Sequence, residues 1–238
     1  MTAKVRVVGA GRAGHAFALA LRRVGWDVAG PVGRRDLTAA AHDVDAVLIA
    51  VPDHAIAEVA AAIEPDPTTT VVHVAGSLGL EVLAPHRRRG AVHPLVAMPT
   101  GEVGADRLLS GAWFALAVDG DPVGAEIVAA LGGRSFAVAD ADRARYHAAA
   151  VIASNHLVAL LAQVAAVAPD GVPPDAYIDL VRVTVENVAA MGPKAALTGP
   201  AARGDDATIE RHLAALAPDE RALYEILSDR CRQIAASP

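Results

Sequence analysis

Two groups of residues in this chain have types and spacings suited to chemistry. The first is Gly9-Ala10-Gly11-Arg12-Ala13-Gly14, a G-x-G-x-x-G pattern close to the N-terminus. Glycines at that spacing permit a tight turn at Gly9, close approach of backbone to a pair of phosphates at Gly11, and close helix–strand packing at Gly14. The second is a set of polar side chains, His147, Ser154 and Asn155, inside a run from Tyr146 to Pro169 that contains no Asp, Glu, Lys or Arg. Polar groups in such a run need partners. On a regular helix His147 and Ser154 face nearly the same way, with Asn155 offset by roughly 80°; the stretch rises roughly 12 Å and lines a groove. An imidazole there can give a proton to a developing alkoxide, and an amide can orient a carbonyl. His93, expected in a loop at a strand end, is a second candidate donor, approaching from the sheet side.

The elements that must position these groups alternate. Lys4 to Val8 runs into Gly9 as a strand, and Arg12 to Val24 has helical periodicity ended by Gly25. Further strands are expected at Asp27–Val32, Ala46–Val51, Thr70–Val74, Ala91–Leu95, Trp113–Val118 and Ser135–Val138, with helices at Ala55–Ile63 and Val123–Leu131. Strands alternating with helices predict an α/β fold. Residues 1–140 form an N-terminal Rossmann domain with a doubly wound, mostly parallel sheet. Residues 141–238 form an all-α C-terminal domain. Asp140 and Asp142 cap a helix running to about Ala168, stopped by Pro169-Asp170-Gly171 and packed directly against the sheet domain. A second helix runs from Pro173-Pro174 to Gly192-Pro193, a loop spans Lys194 to Asp206, and two more helices close the chain.

A glycine loop between a first strand and a helix offers the free N–H groups of the helix N-terminus to a pyrophosphate. NAD-selective sites place an acid at the end of the second strand. This chain reads Gly30-Pro31-Val32-Gly33-Arg34-Arg35-Asp36 there, so the Arg34–Arg35 pair predicts a 2′-phosphate and NADP(H), with Arg12 adding to it. Asp36 as a ribose ligand is the alternative. Val51-Pro52-Asp53 is expected to lie over the cofactor, and Gly76 and Ser77 to approach its nicotinamide side. In the late loop, Lys194, Thr198 and Arg203 are candidate binders of an anionic substrate; Arg203 and Asp205 bracing the loop is the alternative.

Composition bounds the rest. Apolar residues make up 53% and aromatics 3%, so the core relies on small and branched side chains. The net charge is −6 with both signs scattered, and without a basic stripe or aromatic platform nucleic acid is not an expected partner. Cys231 is the single cysteine, which excludes an intramolecular disulfide; His42 beside Asp43 and Asp45 reads as a surface turn, and no metal is expected. The start lacks a signal-peptide pattern, so a cytoplasmic protein is expected. The chargeless run is long enough to span a bilayer, but Ser154-Asn155-His156 near its middle would be costly in lipid. Burial in a core or a subunit interface is expected instead, hence a homodimer.

Taken together, Gly9 to Gly14, Val51-Pro52-Asp53, His93-Pro94-Leu95, Tyr146-His147-Ala148-Ala149, Ser154-Asn155, Ala196-Leu197-Thr198-Gly199-Pro200 and Arg203-Gly204-Asp205 resemble a family of Rossmann-like proteins. Their helical C-terminal part is catalogued as domain of unknown function 2520. The resemblance covers nearly the full length. Where that family commonly carries a hydroxyl, this chain has Ala75 in His73-Val74-Ala75-Gly76. A broader resemblance is to the superfamily of 6-phosphogluconate dehydrogenase, pyrroline-5-carboxylate reductase and ketopantoate reductase. It implies an NADP(H)-dependent oxidoreductase that reduces a small anionic carbonyl or imine substrate, with a ketopantoate-like 2-oxo acid as first guess. In that reading His147 or His93 supplies the proton and Asn155 orients the substrate. The superfamily often uses a lysine on the first long helix, and this helix has none. A non-catalytic NADP(H)-binding sensor or partner protein is the alternative.

Overall fold

The computed structural model describes residues 3–33 and 37–237. Cα packing divides the chain into two compact units, Met1–Ser154 and Asn155–Pro238.

The first unit is a seven-stranded sheet: β1 (Lys4–Val8), β2 (Asp27–Val32), β3 (Ala46–Ile49), β4 (Thr70–His73), β5 (Arg89–Pro94), β6 (Trp113–Ala117) and β7 (Arg134–Val138). The spatial order is β2-β1-β3-β4-β5-β6-β7. All neighbours are parallel except β5 and β6, which pair antiparallel through Val92↔Leu116 and His93↔Ala115. Alternation along each central strand sends side chains into two separate cores. Val5, Val7, Leu48 and Val72 join Phe17 and Leu21 of α1 (Arg12–Arg23), together with Leu108 of α3 (Gly101–Leu108) and Ile127 of α4 (Val123–Ala130). Val8, Val47, Ile49 and Val71 face Ile56 and Val59 of α2 (Ile56–Ala61) on the other side. A sheet covered on both faces explains the uninterrupted apolar runs. Helix α3, which packs on α1, was not expected; its short glycine-containing sequence has little periodicity, and its start is set by the Thr100 cap, whose hydroxyl accepts from the Val103 amide at 3.2 Å.

The sheet unit extends past Asp140 into the first turns of the helical segment. The Asp140 carboxylate does not cap its own helix but accepts from the Leu80 amide at 2.8 Å, and Asp142 pairs with Arg145 at 2.8 Å. The segment is also not one continuous α-helix. It comprises α5 (Arg143–Val151), a π turn at Ile152–His156, and α6 (Leu157–Val167).

The second unit contains α6, α7 (Pro174–Ala196), α8 (Pro200–Arg203), α9 (Asp206–Ala215) and α10 (Pro218–Ala236). Helix α7 continues past Gly192-Pro193, which breaks its geometry with Gly192 at φ 80°, and α8 occupies part of the expected loop. The expected burial of the apolar run is not found within the chain. Asp140–Val167 is long and apolar enough to cross a membrane by composition, with mean hydropathy 1.8 over a window of which 0% is buried.

Candidate active site

The glycine loop joins β1 to α1. Gly9 has φ +114°, and a Cβ there would lie 2.3 Å from the Ala50 carbonyl oxygen; one on Gly14 would lie 1.8 Å from the Gly9 oxygen. Both positions are closed to any side chain. A Cβ on Gly11 would meet nothing within 4 Å. Gly11 also caps α1 without a side-chain hydrogen bond, and no acid occupies the first turn. The first amides of α1 are therefore available to an anion. Gly9, Ala10, Gly11, Gly33, Ala50, Val51 and Pro52 line a cleft of about 230 Å³. It lies at the carboxyl ends of β1, β2 and β3, where the strand order switches direction and open α/β sheets bind ligands. Arg12 is exposed at the start of α1 and Ala13 half-buried beside it. Asp53 and Ser77, from the turns after β3 and β4, are joined by a hydrogen bond from the Ser77 hydroxyl at 2.7 Å. Arg34, Arg35 and Asp36 lie outside the described residues.

A second group sits at the carboxyl ends of β4 and β5. His93 is within β5 rather than in a loop beyond it. The pleat carries its ring toward α5, where Tyr146 Oη is 2.7 Å from Nδ1 and the His147 ring is 5.4 Å away, edge to face. Gly76 is the floor of this group: a Cβ there would lie 2.4 Å from His147 Nδ1 and 2.9 Å from His93 Nε2. The structure thus brings His93, His147 and Gly76 together. Burial, followed by the neighbouring His147 and Arg143, pulls the His93 pKa down to about 4, and burial pushes Tyr146 up to about 12. At neutral pH the ring is uncharged and the phenol keeps its proton. An imidazolium donor at His93 is therefore ruled out near pH 7.

His73 at the end of β4 is held differently. The Ala75 amide donates to its Nδ1 at 3.2 Å, so the ring proton is on Nε2, which donates to the Gly79 carbonyl at 3.2 Å. Burial, then Arg143, lowers its pKa to about 4. Both ring nitrogens are satisfied, and His73 is a structural residue.

Sequence reasoning missed Tyr146 and Arg143 as site residues. Together with His147 they stand at i, i+3 and i+4 on α5, which is one helix face. That spacing was the available signal. The Arg143 side chain is 0% exposed, its Nε lies 3.4 Å from Asp140 Oδ1, and none of its guanidinium nitrogens makes a hydrogen bond among the described residues. His147 Nδ1 is likewise buried without a partner. Such groups concentrate where a structure does more than pack.

The remaining candidates are placed as follows. Ser154 and Asn155 are exposed on the π turn, whose wider i→i+5 winding breaks the regular spacing that put Ser154 over His147. In the second unit, Lys194 is exposed and its ammonium donates to the Ser237 carbonyl. Thr198 and Arg203 are exposed, and Asp205 caps α9 by accepting from the Thr208 amide at 3.1 Å, so Asp205 braces its loop. His42 is on the surface 3.8 Å from Glu64, and Asp45 accepts from the Lys4 amide at 2.8 Å.

Residues 34–99 match a Rossmann-like domain family and residues 116–231 match DUF2520, a domain of unknown function. No curated protein matches the chain. Among solved structures, a Bacteroides fragilis protein provisionally named an NADP oxidoreductase is 24% identical over 98% of each chain, with a TM-score of 0.82. A reductive aminase from Aspergillus terreus, in complex with NADPH, is 14% identical over 99% of this chain and 98% of its own, with a TM-score of 0.69. A pyrroline carboxylate reductase from Plasmodium falciparum with NADP bound is 14% identical over 98% of each, with a TM-score of 0.62. These likenesses establish the fold.

Proposed function

We propose that the chain is an NADP(H)-dependent reductase of a small anionic carbonyl or imine compound, a 2-oxo acid such as ketopantoate being the first to try. The observation that carries this reading is the pairing, along one sheet edge, of a glycine-lined cleft with an imidazole–phenol cluster. The cleft fits a dinucleotide because Gly11 is open and the α1 amides are uncapped. Gly9, Gly11, Arg12, Ala13 and Gly14 would hold the pyrophosphate, with Val51, Pro52 and Asp53 beside it and Gly76 and Ser77 toward the nicotinamide. The preference for the phosphorylated cofactor rests on the absence of an acid from Gly30 to Gly33 and on the arginines that follow. When bound, the reduced cofactor supplies a hydride. His93 and His147 supply polar hydrogens to the substrate atom that gains charge. Ser154, exposed, carries a hydroxyl that would orient the substrate; Lys194 is tied to Ser237.

The absence of lysine from Asp140–Val167 favours the second reading, a binding protein without turnover. The same experiment decides between them. NADPH and NADH are titrated by calorimetry, and NADPH absorbance is followed against 2-oxo acids and cyclic imines. Tight NADPH binding with turnover supports the reductase; binding without turnover on either class supports the sensor; no binding refutes both.

The reading includes a homodimer. Among the described residues of Asn155–Pro238 only Ile209 and Ser228 are buried, too small a core for a unit of this size. Helices α6 and α7 expose Val158, Leu180, Val183, Val185 and Met191, each more than half exposed. A second copy presents the same apolar faces at equal concentration and can cover them isologously.

A further inference from the structure

We infer that Tyr146 and His93 form a proton relay, in which His93 Nε2–H is the donor, the Tyr146 hydroxyl refills the ring through Nδ1, and Arg143 carries the resulting phenolate. The inference rests on the reductase reading and names its proton source.

The relay begins at one hydrogen bond. Tyr146 Oη lies 2.7 Å from His93 Nδ1, and among the described residues the phenol has no other acceptor. The relay takes the hydroxyl as the donor in this bond, with His93 Nδ1 bare and the ring proton on Nε2. Among the described residues no group bonds Nε2, and the atom is not cut off from solvent. It borders Gly76, whose missing side chain keeps that edge open. Tyr146 is held in place by edge-on contacts with Phe136 at 5.7 Å and His93 at 5.6 Å.

The charged surroundings favour a neutral ring and a transient phenolate. The groups acting on His93 are His147 and Arg143 from α5, His73 from β4, and Asp53 from the turn after β3; only Asp53 favours an imidazolium. Arg143 stands one turn before Tyr146 on α5, paired at Nε with Asp140 at 3.4 Å, and its charge favours the ionised phenol. A buried cation beside a forming anion interacts far more strongly than in water.

The step balances. As the substrate carbon is reduced, its oxygen or nitrogen gains the electron pair of the broken π bond and takes the proton from Nε2. Nδ1 takes the proton of Tyr146 Oη, so the ring changes tautomer and stays neutral. The O–H pair remains on Tyr146 as a phenolate beside Arg143, and solvent returns the proton after product leaves. His147 has no group that fixes or refills its Nδ1, and serves as a second hydrogen-bonding group.

The test uses the full chain labelled with ¹⁵N on histidine. Wild type should show His93 as the Nε2–H tautomer from pH 6 to 8, whereas Tyr146→Phe should show mixed tautomers and a raised His93 pKa, since a bond to the neutral form is lost. With a turned-over substrate, the wild-type rate in H₂O/D₂O mixtures should bow, as two protons move, and be flat from pH 6 to 9. Tyr146→Phe should be slower by about 10²-fold or more, with a straight dependence. Arg143→Met, which removes a buried charge without changing side-chain bulk much, should slow turnover while leaving the His93 tautomer intact. An Nδ1–H tautomer in wild type, a tautomer indifferent to Tyr146→Phe, or a straight wild-type dependence overturns the relay and leaves the reductase reading standing. No NADPH consumption with any carbonyl or imine compound overturns that reading and the delivery role with it, whatever the tautomer.

Discussion

Gly76→Ala is the smallest change that tests the geometry of the cluster. The added Cβ would sit 2.4 Å from His147 Nδ1 and 2.9 Å from His93 Nε2, and ordinary contact begins near 3.4 Å. One ring must retreat by about 1 Å and the other by about 0.5 Å, or the backbone must yield, and overpacking of that kind typically costs about 1–3 kcal/mol. Neither ring moves freely. His93 is fixed within β5 and bonded to Tyr146 at 2.7 Å, and His147 shares α5 with the buried Arg143. A displacement of about 1 Å in a catalytic group lowers rate by as much as about 10²-fold. The expected result is a clear loss of stability in urea unfolding and a larger loss of turnover. A Gly76→Ala protein with wild-type stability and an unchanged His93 ¹⁵N spectrum would show that the two rings are not packed on Gly76, and the site reasoning would fail at its base.

Other outcomes follow from the same distances. Gly11→Val should leave urea stability near wild type, because nothing lies within 4 Å of its Cβ position, yet abolish measurable NADPH binding by calorimetry; retained binding would place the pyrophosphate elsewhere. His73 is buried with its pKa lowered from 6.5 to about 4, so it contributes stability that is complete above pH 6.5 and is lost as pH falls toward 4. Up to about 3 kcal/mol should disappear over that window in urea unfolding, and His73→Gln should flatten the slope; an unchanged slope would mean that other groups dominate. Leu180→Glu with Val183→Glu, one turn apart on α7, should convert a dimer to a monomer by light scattering; a wild-type monomer at micromolar concentration would refute the assembly.

The fold of the sheet unit was largely legible because its information is local. A continuous apolar strand, a glycine turn and a periodic helix repeat along residues 4–73, and each device acts within a few residues of itself. Helix α3 escaped because Gly101-Glu102-Val103-Gly104 has neither periodicity nor propensity, and its glycines are there for contact: a Cβ on Gly104 would meet Ala16 at 2.7 Å. The extension of the sheet unit to Ser154 escaped for a related reason. Asp140 beside a helix start reads as a cap, but its carboxylate finds the Leu80 amide, a partner sixty residues away that no local pattern announces. The π turn is equally silent, since an apolar run with three polar residues in it has the same composition at 3.6 or 4.4 residues per turn.

The site divides along the same line. Its residue types were visible: an imidazole at position 93, another at 147, a glycine at 76. Their protonation was not, because charge state depends on burial and neighbours that only the fold supplies. An imidazole at its ordinary pKa donates as an imidazolium, with a rate that falls as pH rises past about 6.5. The structure removes that option at His93 by enclosing the ring, surrounding it with His147, Arg143 and His73, and bonding its Nδ1 to a phenol. What remains is a neutral ring bonded to a phenol whose pKa is pushed to about 12. Both keep their protons through the physiological range, so the acid needs no particular pH to be loaded. Its cost is a phenolate formed in a half-buried place, and the group that lowers that cost is the guanidinium of Arg143, which is itself paired at Nε with Asp140 at 3.4 Å. In the proposed relay, the tasks of the lysine that the long helix lacks fall to a ring that delivers the proton and a buried cation that stabilises what is left behind.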